Sequence, residues 1–536
     1  MTEEIDILIV GAGFAGMYAL HRARKLGLKA KVFEAASDVG GTWWWNRYPG
    51  ARCDIESLQY SYSWDDDLQQ DWNWTERFAT QPEILRYLNH VADRFDLRRD
   101  IIFNTRVQSA TYDETARRWI ARLDEESPVS THFLILAVGC LSSAQIPDFP
   151  GRDEFGGETY HTGYWPHEGV DFSGKKVGVI GTGSSGIQVI PEIARKAAYL
   201  TVFQRTPNFS IPARNQPLNK TFVQGWKSSY PELRRYAREE TPSGTIYDWP
   251  SCSALDVDPE EREREYRWRW EKGGVNFSHS YNDLSVNERA NTTAANFVRD
   301  RIQATVKDPE TAEDLCPRDY PIFCKRICLD TEYFETFNRH NVDLVNLRKT
   351  PLEAIERQGI RTSDGLHELD TIVYATGFDA ITGAITAIDI RGRDNRSLSD
   401  KWAEGPRAYL GLASEGFPNL FMITGPGSPS VLSNVIVSIE QHVGWIADLL
   451  YHMSEQGNDE VEAQRDAEDA WVAHVNEVAG ATLLPRAASW YMGTNIPGKP
   501  RVFMPYIGVA NYRKKCQEVA AAGYTGLTLS KKTASG

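Results

Sequence analysis

Two glycine-rich hexapeptides, each set directly after a short apolar run, constrain this chain more than any other feature. The first is Gly11-Ala12-Gly13-Phe14-Ala15-Gly16 after Ile5 to Val10; the second is Gly181-Thr182-Gly183-Ser184-Ser185-Gly186 after Lys176 to Ile180. A run broken only by Asp6 reads as a strand buried on both faces of a parallel sheet. The chain must then turn, approach a ligand closely and start a helix. Gly11, Gly13 and Gly16 serve these needs in that order, and the helix N-terminus faces phosphate charge. Gly27 suits the left-handed cap of that helix. Lys29 to Phe33 reads as the next strand, ending in Glu34, an acid placed to accept hydrogen bonds from ribose hydroxyls.

The second unit repeats this order, with a helix from Ile187 to about Ala197 and a strand from Leu200 to Phe203. Thr182, Gly183, Ser184, Ser185, Gly186 and Gln188 are its candidate dinucleotide contacts. It departs from the first unit at the strand end, where Arg205-Thr206 replaces the acid. A cation and a hydroxyl suit a ribose carrying a 2′-phosphate, which favours NADPH over NADH; the alternative is a solvated Arg.

At 536 residues the chain exceeds a single hydrophobic core. Its 59 basic against 73 acidic residues give a net charge of −14, which argues against a nucleic-acid partner. No apolar run is long enough for a membrane span, and no signal-type segment opens the sequence, so a cytoplasmic protein is expected. The seven cysteines are scattered without CxxC pairs, so free thiols and no metal site are expected.

Between the two units, Gly40 to Asp54 is dense in Gly and aromatic residues, including Gly41, Thr42, Trp43, Trp44 and Trp45. Such a loop either packs flat rings against a flat cofactor or forms an aromatic core cluster. A helix is expected from Gln81 to Phe95, with strand-like pieces at Ile101 to Val107 and Trp119 to Arg122. Phe133 to Val138 and Thr371 to Phe378 read as counterpart buried strands able to return the chain to the first sheet. They place crossings near 140 and 375: a first part of the first dinucleotide domain over 1–140, the second dinucleotide domain over 141–374, and the rest of the first over 375–536. Residues 208–320 read as a helical insertion, and the run Asp258 to Glu265 as a solvated face.

Ile322-Phe323-Cys324-Lys325-Arg326-Ile327-Cys328-Leu329 sets two cations inside an apolar run. Buried charges are costly unless paired, which points to phosphate for Lys325 and a carboxylate or transient anion for Arg326; the alternative is an edge strand with both cations in water. Two dinucleotides in one chain imply hydride transfer to a flavin. A disulfide reductase would need a redox Cys pair after the first unit, where only Cys53 is found. With oxygen as acceptor, a fixed guanidinium could stabilise oxyanions, and Arg326 is the candidate.

The stretch Phe155-x-Gly157-xxx-His161-xxx-Trp165-Pro166, between the two glycine loops, resembles the fingerprint of type I Baeyer-Villiger monooxygenases, and the resemblance extends over nearly the whole chain. It implies an α/β flavoprotein with two Rossmann-like domains, for FAD and NADPH. The implied activity converts a ketone and O2 to an ester or lactone through a C4a-peroxyflavin and a tetrahedral adduct. It implies Arg326 as the active-site arginine and Asp54 as the acid that holds it. FAD contacts would be Gly11, Gly13, Gly16, Glu34, Gly41, Thr42 to Trp45, Asp54, Tyr60, Val107 and Val435; Arg205, Thr206, Lys325, Arg326 and Trp490 would serve NADPH. His161 and Trp165 would couple the domains without proton transfer. Ser430 to Asn434 resembles the slightly longer active-site loop of one branch, but Val431 and Val435 depart from the residues expected there. Sulfoxidation is an expected side activity. The rival readings are an N- or S-hydroxylating flavin monooxygenase and a non-catalytic redox sensor.

Overall fold

Nearly uninterrupted apolar strands are satisfied only inside a sheet covered on both faces. The computed structural model describes residues 3–124, 127–499 and 506–531, and it places these strands so. Glu3–Val10 lies inside an eight-stranded sheet, parallel to Ala30–Phe33 on one side and Val129–Leu136 on the other, with Ile7 opposite both Ala30 and Phe133. The sheet runs outward through Arg118–Leu123 and Val107–Asp113 to Asp389–Arg391 at one edge, and to Ile101–Ile102 at the other. The piece expected from Ile101 to Val107 is therefore two strands at opposite sides of this sheet.

The second sheet has five parallel strands in the order Val342–Asn346, Tyr199–Gln204, Lys176–Ile180, Thr371–Tyr374 and Glu158–His161. Thr371–Tyr374 thus pairs here and not in the first sheet, with Ile372 opposite Gly178. The chain regains the first sheet at Asp389–Arg391 and Leu420–Met422. An apolar parallel strand reads the same whichever sheet receives it, so sequence pattern alone does not assign it. The result is an α/β protein with two Rossmann-like units, the fold class the sequence implied.

Five helices, Lys220–Ser228, Tyr230–Glu239, Pro259–Lys272, Glu288–Thr305 and Pro309–Asp314, lie between the strands Ser210–Pro212 and Cys328–Asp330, which pair with each other. Asp308 caps the last of them by accepting from Thr311 N at 2.8 Å, with Pro309 in the first turn. Asn434 caps Val435–Gln456, which ends at Gly457 in the left-handed conformation. Ile436, Ile439, Val443 and Ile446 of that helix share one core with Met17 and Leu20 of Phe14–Lys25. No helix among the described residues is long and apolar enough to cross a membrane.

One buried ion pair ties the returning chain together. Lys401 and Glu468 side chains are each 2% exposed and 2.8 Å apart, and Ser414 Oγ lies 3.0 Å from the ammonium. Ser414 Oγ and Glu415 N both donate to Glu468. Removing one partner strands the other charge in a buried site. K401M is expected to cost about 3–5 kcal/mol, and K401M/E468M to recover most of that loss. Denaturant titration of the three proteins measures it; an unchanged midpoint for K401M would refute the assignment.

Candidate active site

The first glycine of each loop shows why its backbone must be bare. Gly11 has φ +100°, and a Cβ there would lie 2.8 Å from Ala137 O; Gly181 has φ +107°, and a Cβ would lie 2.4 Å from Ala375 O. Gly16 packs its helix so tightly that a Cβ would meet Gly11 O at 1.8 Å. The middle glycines differ. A Cβ on Gly183 would meet nothing within 4 Å, and one on Gly13 would touch only Gly41. Both cradles are therefore closed on the protein side and open where a pyrophosphate would sit. Glu34, 5% exposed, closes the first cradle by accepting from Ala12 N at 2.6 Å and Ala36 N at 2.7 Å. Burial pushes its carboxyl up, and the two N–H groups pull back only part of that.

A cavity of about 460 Å³ opens from the first cradle towards the second. Gly11, Gly13, Glu34, Gly41, Thr42, Trp43, Trp45, Asp54, Tyr60, Val107 and Val435 line it from the first unit's side. Ser184, Ser185, Gln188, Arg326 and Trp490 line it as well. Gly16, Trp44, Thr182, Gly183, Gly186, Arg205, Thr206 and Lys325 are not among its walls. Gly16 and Gly186 are packing glycines, and the Trp44 ring lies instead against Arg47, at 4.9 Å, and His167, at 4.6 Å. Trp43 donates from Nε1 to the Tyr60 hydroxyl at 3.1 Å, so this aromatic loop is both cavity wall and core.

Arg326 and Asp54 meet at the cavity. Nε and Nη2 donate to the two carboxylate oxygens at 2.8 and 2.7 Å, and Nη1 donates to Val431 O at 2.5 Å. Burial pulls the guanidinium down, but Asp54 and Tyr491 more than offset it and hold it well above its ordinary value. The Arg326 segment is not an edge strand: Phe323 has φ +69°, and the strand begins only at Cys328. Buried Asn291 pins this loop, donating to Ile322 O at 2.8 Å and accepting from Ile322 N at 3.1 Å. The Asp54 loop is held by Cys53 N donating to Ala79 O and Gln81 N to Ala51 O.

Lys325 points elsewhere, its ammonium 4.4 Å from the Tyr320 ring centroid. Burial, with Arg205 and Arg348 nearby, pulls it down to about 8. Neither Lys325 nor Arg205 has an ion-pair partner among the described residues. Arg348 donates to Thr206 Oγ1 at 3.3 Å. This cluster of cations and a hydroxyl at the end of the Tyr199–Gln204 strand has the chemistry to hold a phosphate.

His161 is 5% exposed, accepts from Gly163 N at 2.9 Å, and is pulled by burial down to about 4, so its ring is neutral. Trp165 is 4% exposed and packs on Tyr160 and Phe172.

Several site residues carried no sequence signal. The Val431 contribution is a carbonyl, which any residue could supply. Cys140, Phe378 and Thr424 reach the cavity only through the tertiary fold. Tyr48 donates to Gln188 at 2.8 Å, and Gln188 donates to Arg52 O at 3.1 Å, so one glutamine bridges the two units.

Comparison with known proteins gives the family. Residues 4–215 match the model of the flavin-binding monooxygenase-like family. The acetone monooxygenase (methyl acetate-forming) of Gordonia sp. is 42% identical over 99% of this chain and 100% of its own. Phenazine N-monooxygenase PhzNO1 of Lysobacter antibioticus is 41% identical over 98% and 97%. A solved structure of an oxidised steroid monooxygenase bound to NADP superposes with a TM-score of 0.94, at 51% identity, covering 98% of this chain and 100% of that one. Full-length likeness at this level, the two dinucleotide cradles and the fingerprint with Trp165 place the chain in the family of Baeyer-Villiger monooxygenases, a name that a further relative carries outright.

Proposed function

We propose that the protein is an NADPH- and oxygen-dependent flavin monooxygenase that turns ketones into esters or lactones. The observation that carries this is the Arg326–Asp54 pair, set at a cavity that joins two dinucleotide cradles. FAD, when bound, supplies hydride acceptance from NADPH and activation of dioxygen. The first cradle with Glu34 would hold FAD; the second, with Arg205, Thr206 and Lys325, would hold NADPH, and Trp490 would wall its nicotinamide end.

Arg326 supplies a charge that cannot be titrated away. Asp54 takes one edge of the guanidinium and Val431 O a third N–H, leaving two of its five N–H groups. Directed at the ketone oxygen, such donors stabilise the negative charge that develops there when the carbonyl carbon is attacked. Neutral His161 takes no part in proton transfer. Nitrogen oxidation, the activity named for the phenazine relative, passes through no tetrahedral adduct at a carbonyl, so a fixed, half-buried cation held by Asp54 favours the ketone.

R326A is expected to lower ester formation by about 100- to 1000-fold while NADPH oxidation continues with hydrogen peroxide as product. Product analysis by mass with phenylacetone checks this; full ester formation by R326A would end the mechanism. Methyl phenyl sulfide should be oxidised to the sulfoxide, and R326A should impair that reaction far less, because oxygen transfer to sulfur involves no carbonyl addition and no tetrahedral adduct for Arg326 to hold. Equal losses on ketone and sulfide would contradict the role given to Arg326.

Lys325 predicts a pH effect on cofactor binding. The free ammonium loses its proton as pH rises through about 8, while a bound 2′-phosphate would hold that proton in place. Affinity for NADP+ should therefore be full below pH 8 and decline above it. Dissociation constants between about pH 7 and 9.5 should show this slope in the wild type and lose it in K325M. A pH-independent wild-type constant would exclude Lys325 as the phosphate ligand.

A further inference from the structure

The cavity wall made by Val431, Ser433 and Val435 is held from behind by a residue outside the cavity. Gln59 is buried, and its main-chain oxygen accepts twice, from Asn434 Nδ2 at 2.8 Å and from Arg234 Nη1 at 3.0 Å. Its side chain accepts as well, from Ile246 N at 2.7 Å. Arg234, on the helix Tyr230–Glu239, and Ile246 both belong to the helical insertion. Gln59 directly precedes the cavity wall Tyr60, and Asn434 lies between the walls Ser433 and Val435. One residue thus joins three segments that are far apart in sequence.

Both partners of the Gln59 carbonyl are committed to this joint. Arg234 is buried with its guanidinium 4.8 Å from the Tyr230 ring centroid, and Nη2 donates to Ser61 Oγ at 2.7 Å. Bonds donated by a buried cation are stronger than those between neutral groups. Asn434 is buried too, and it makes three bonds. Its Oδ1 accepts from Ile436 N at 3.2 Å as a helix cap, its amide serves Gln59, and its main-chain N donates to Ser243 O of the insertion at 2.7 Å. The turn Ser430–Leu432 stands just before it. Ser433 Oγ donates to Ser430 O at 2.8 Å and lies 2.7 Å from Ser438 Oγ on the helix. Ser430 has φ +40°, a conformation that persists only where its surroundings enforce it. The Val431 carbonyl that receives Arg326 Nη1 sits inside this turn.

We propose that the Gln59 joint lets the helical insertion set where the Val431–Val435 wall stands, with Arg234 and Asn434 as positioning residues for ketone binding and oxygen transfer. Neither side chain is among the cavity walls, and both act through the wall that Asn434 anchors. With the joint broken, the turn is free to shift. Val431 O then leaves Arg326, and the wall parts from Tyr60 and admits water. The proposal deepens the ketone-oxygenase reading and rests on it for the catalytic consequence alone.

The test compares wild type, R234M, N434S and the double variant as full-length, FAD-loaded enzymes. Serine keeps a good helix cap but is too short to reach Gln59 O, and methionine keeps an apolar stem without the donors. Hydrogen–deuterium exchange is followed without ketone in peptides covering 55–63 and 428–437. Product yield with NADPH and phenylacetone is measured beside it. R234M, altered only in the insertion, should exchange faster at both. Its ester yield per NADPH should fall about tenfold, the size of one lost bond to a charged group, with hydrogen peroxide making up the balance. KM for phenylacetone should rise while KM for NADPH stays within about twofold of wild type, a split that general destabilisation would not produce. N434S should behave alike. Because both side chains serve one carbonyl, the double variant should lose less than the product of the single losses. Unchanged exchange at 428–437 in R234M overturns the reach of the insertion to the wall. Wild-type exchange and ester yield in N434S would reduce Asn434 to a helix cap and overturn its role. If R234M does not load FAD, N434S probes the same carbonyl from the other side, and its exchange decides the joint. A wild type that makes no ester would refute the reaction, while the exchange measurement would still decide the joint.

Discussion

A guanidinium and a carboxylate taken out of water each cost several kcal/mol, and that cost is recovered only when they meet with matched geometry. Arg326 and Asp54 stand 272 residues apart in sequence, one on the loop that closes the helical insertion, the other on the aromatic loop after the first cradle. Both hydrogen bonds of the pair form only if the two units are packed as they are. The units are also keyed by Gln188, which joins Tyr48 and Arg52, and by Gly50, where a Cβ would come within 2.5 Å of Gln188 O. The pair that offers the chemistry is thus also part of the interface, and loosening one loosens the other.

The same cradle is used twice with different strand ends, and the difference lies in electrostatics rather than shape. In the first unit Glu34 spends both oxygens on backbone N–H groups, which fixes its direction before any ligand arrives. In the second, Lys325 has no carboxylate partner among the described residues and rests against the Tyr320 ring, while Arg348 is committed to Asp319 and Thr206. Clustered cations with too few anions store repulsion that a phosphate would relieve. One end selects against extra negative charge and the other calls for it.

What the sequence made legible were the features enforced locally. Glycines 11 and 181 take a positive φ at the turn itself, so the two Rossmann-like units could be read from the loops and the strands before them. The cap at Asp308 is local in the same way. Sheet membership was not legible: Thr371–Tyr374 has the composition of a buried parallel strand, and only long-range pairing puts it beside Lys176–Ile180. The cation pair in an apolar run demanded partners, of which the carboxylate for Arg326 is found in Asp54, yet no pattern there showed that the backbone turns at Phe323 instead of running as a strand. Asp54 alone resembled any loop aspartate, and its meeting with Arg326 is a tertiary fact that only the family resemblance anticipated. Val431 O had no signature at all, because a carbonyl belongs to every residue.

This division of labour sets how the protein responds to its surroundings. Arg326 is protonated at any working pH, and Asp54 with Tyr491 drives it further in that direction. Neutral His161, pulled to about 4, changes charge only in acid well below the physiological range. Lys325, near 8, is the group described at this site whose charge changes just above neutrality, and it lies outside the cavity walls at the second cradle. With the roles proposed for them, the electrostatics of oxygen transfer would be insulated from mild changes of pH, while recognition of the phosphate would be exposed to them. A site built this way lets cofactor occupancy vary with conditions without altering the charge that the reacting ketone meets.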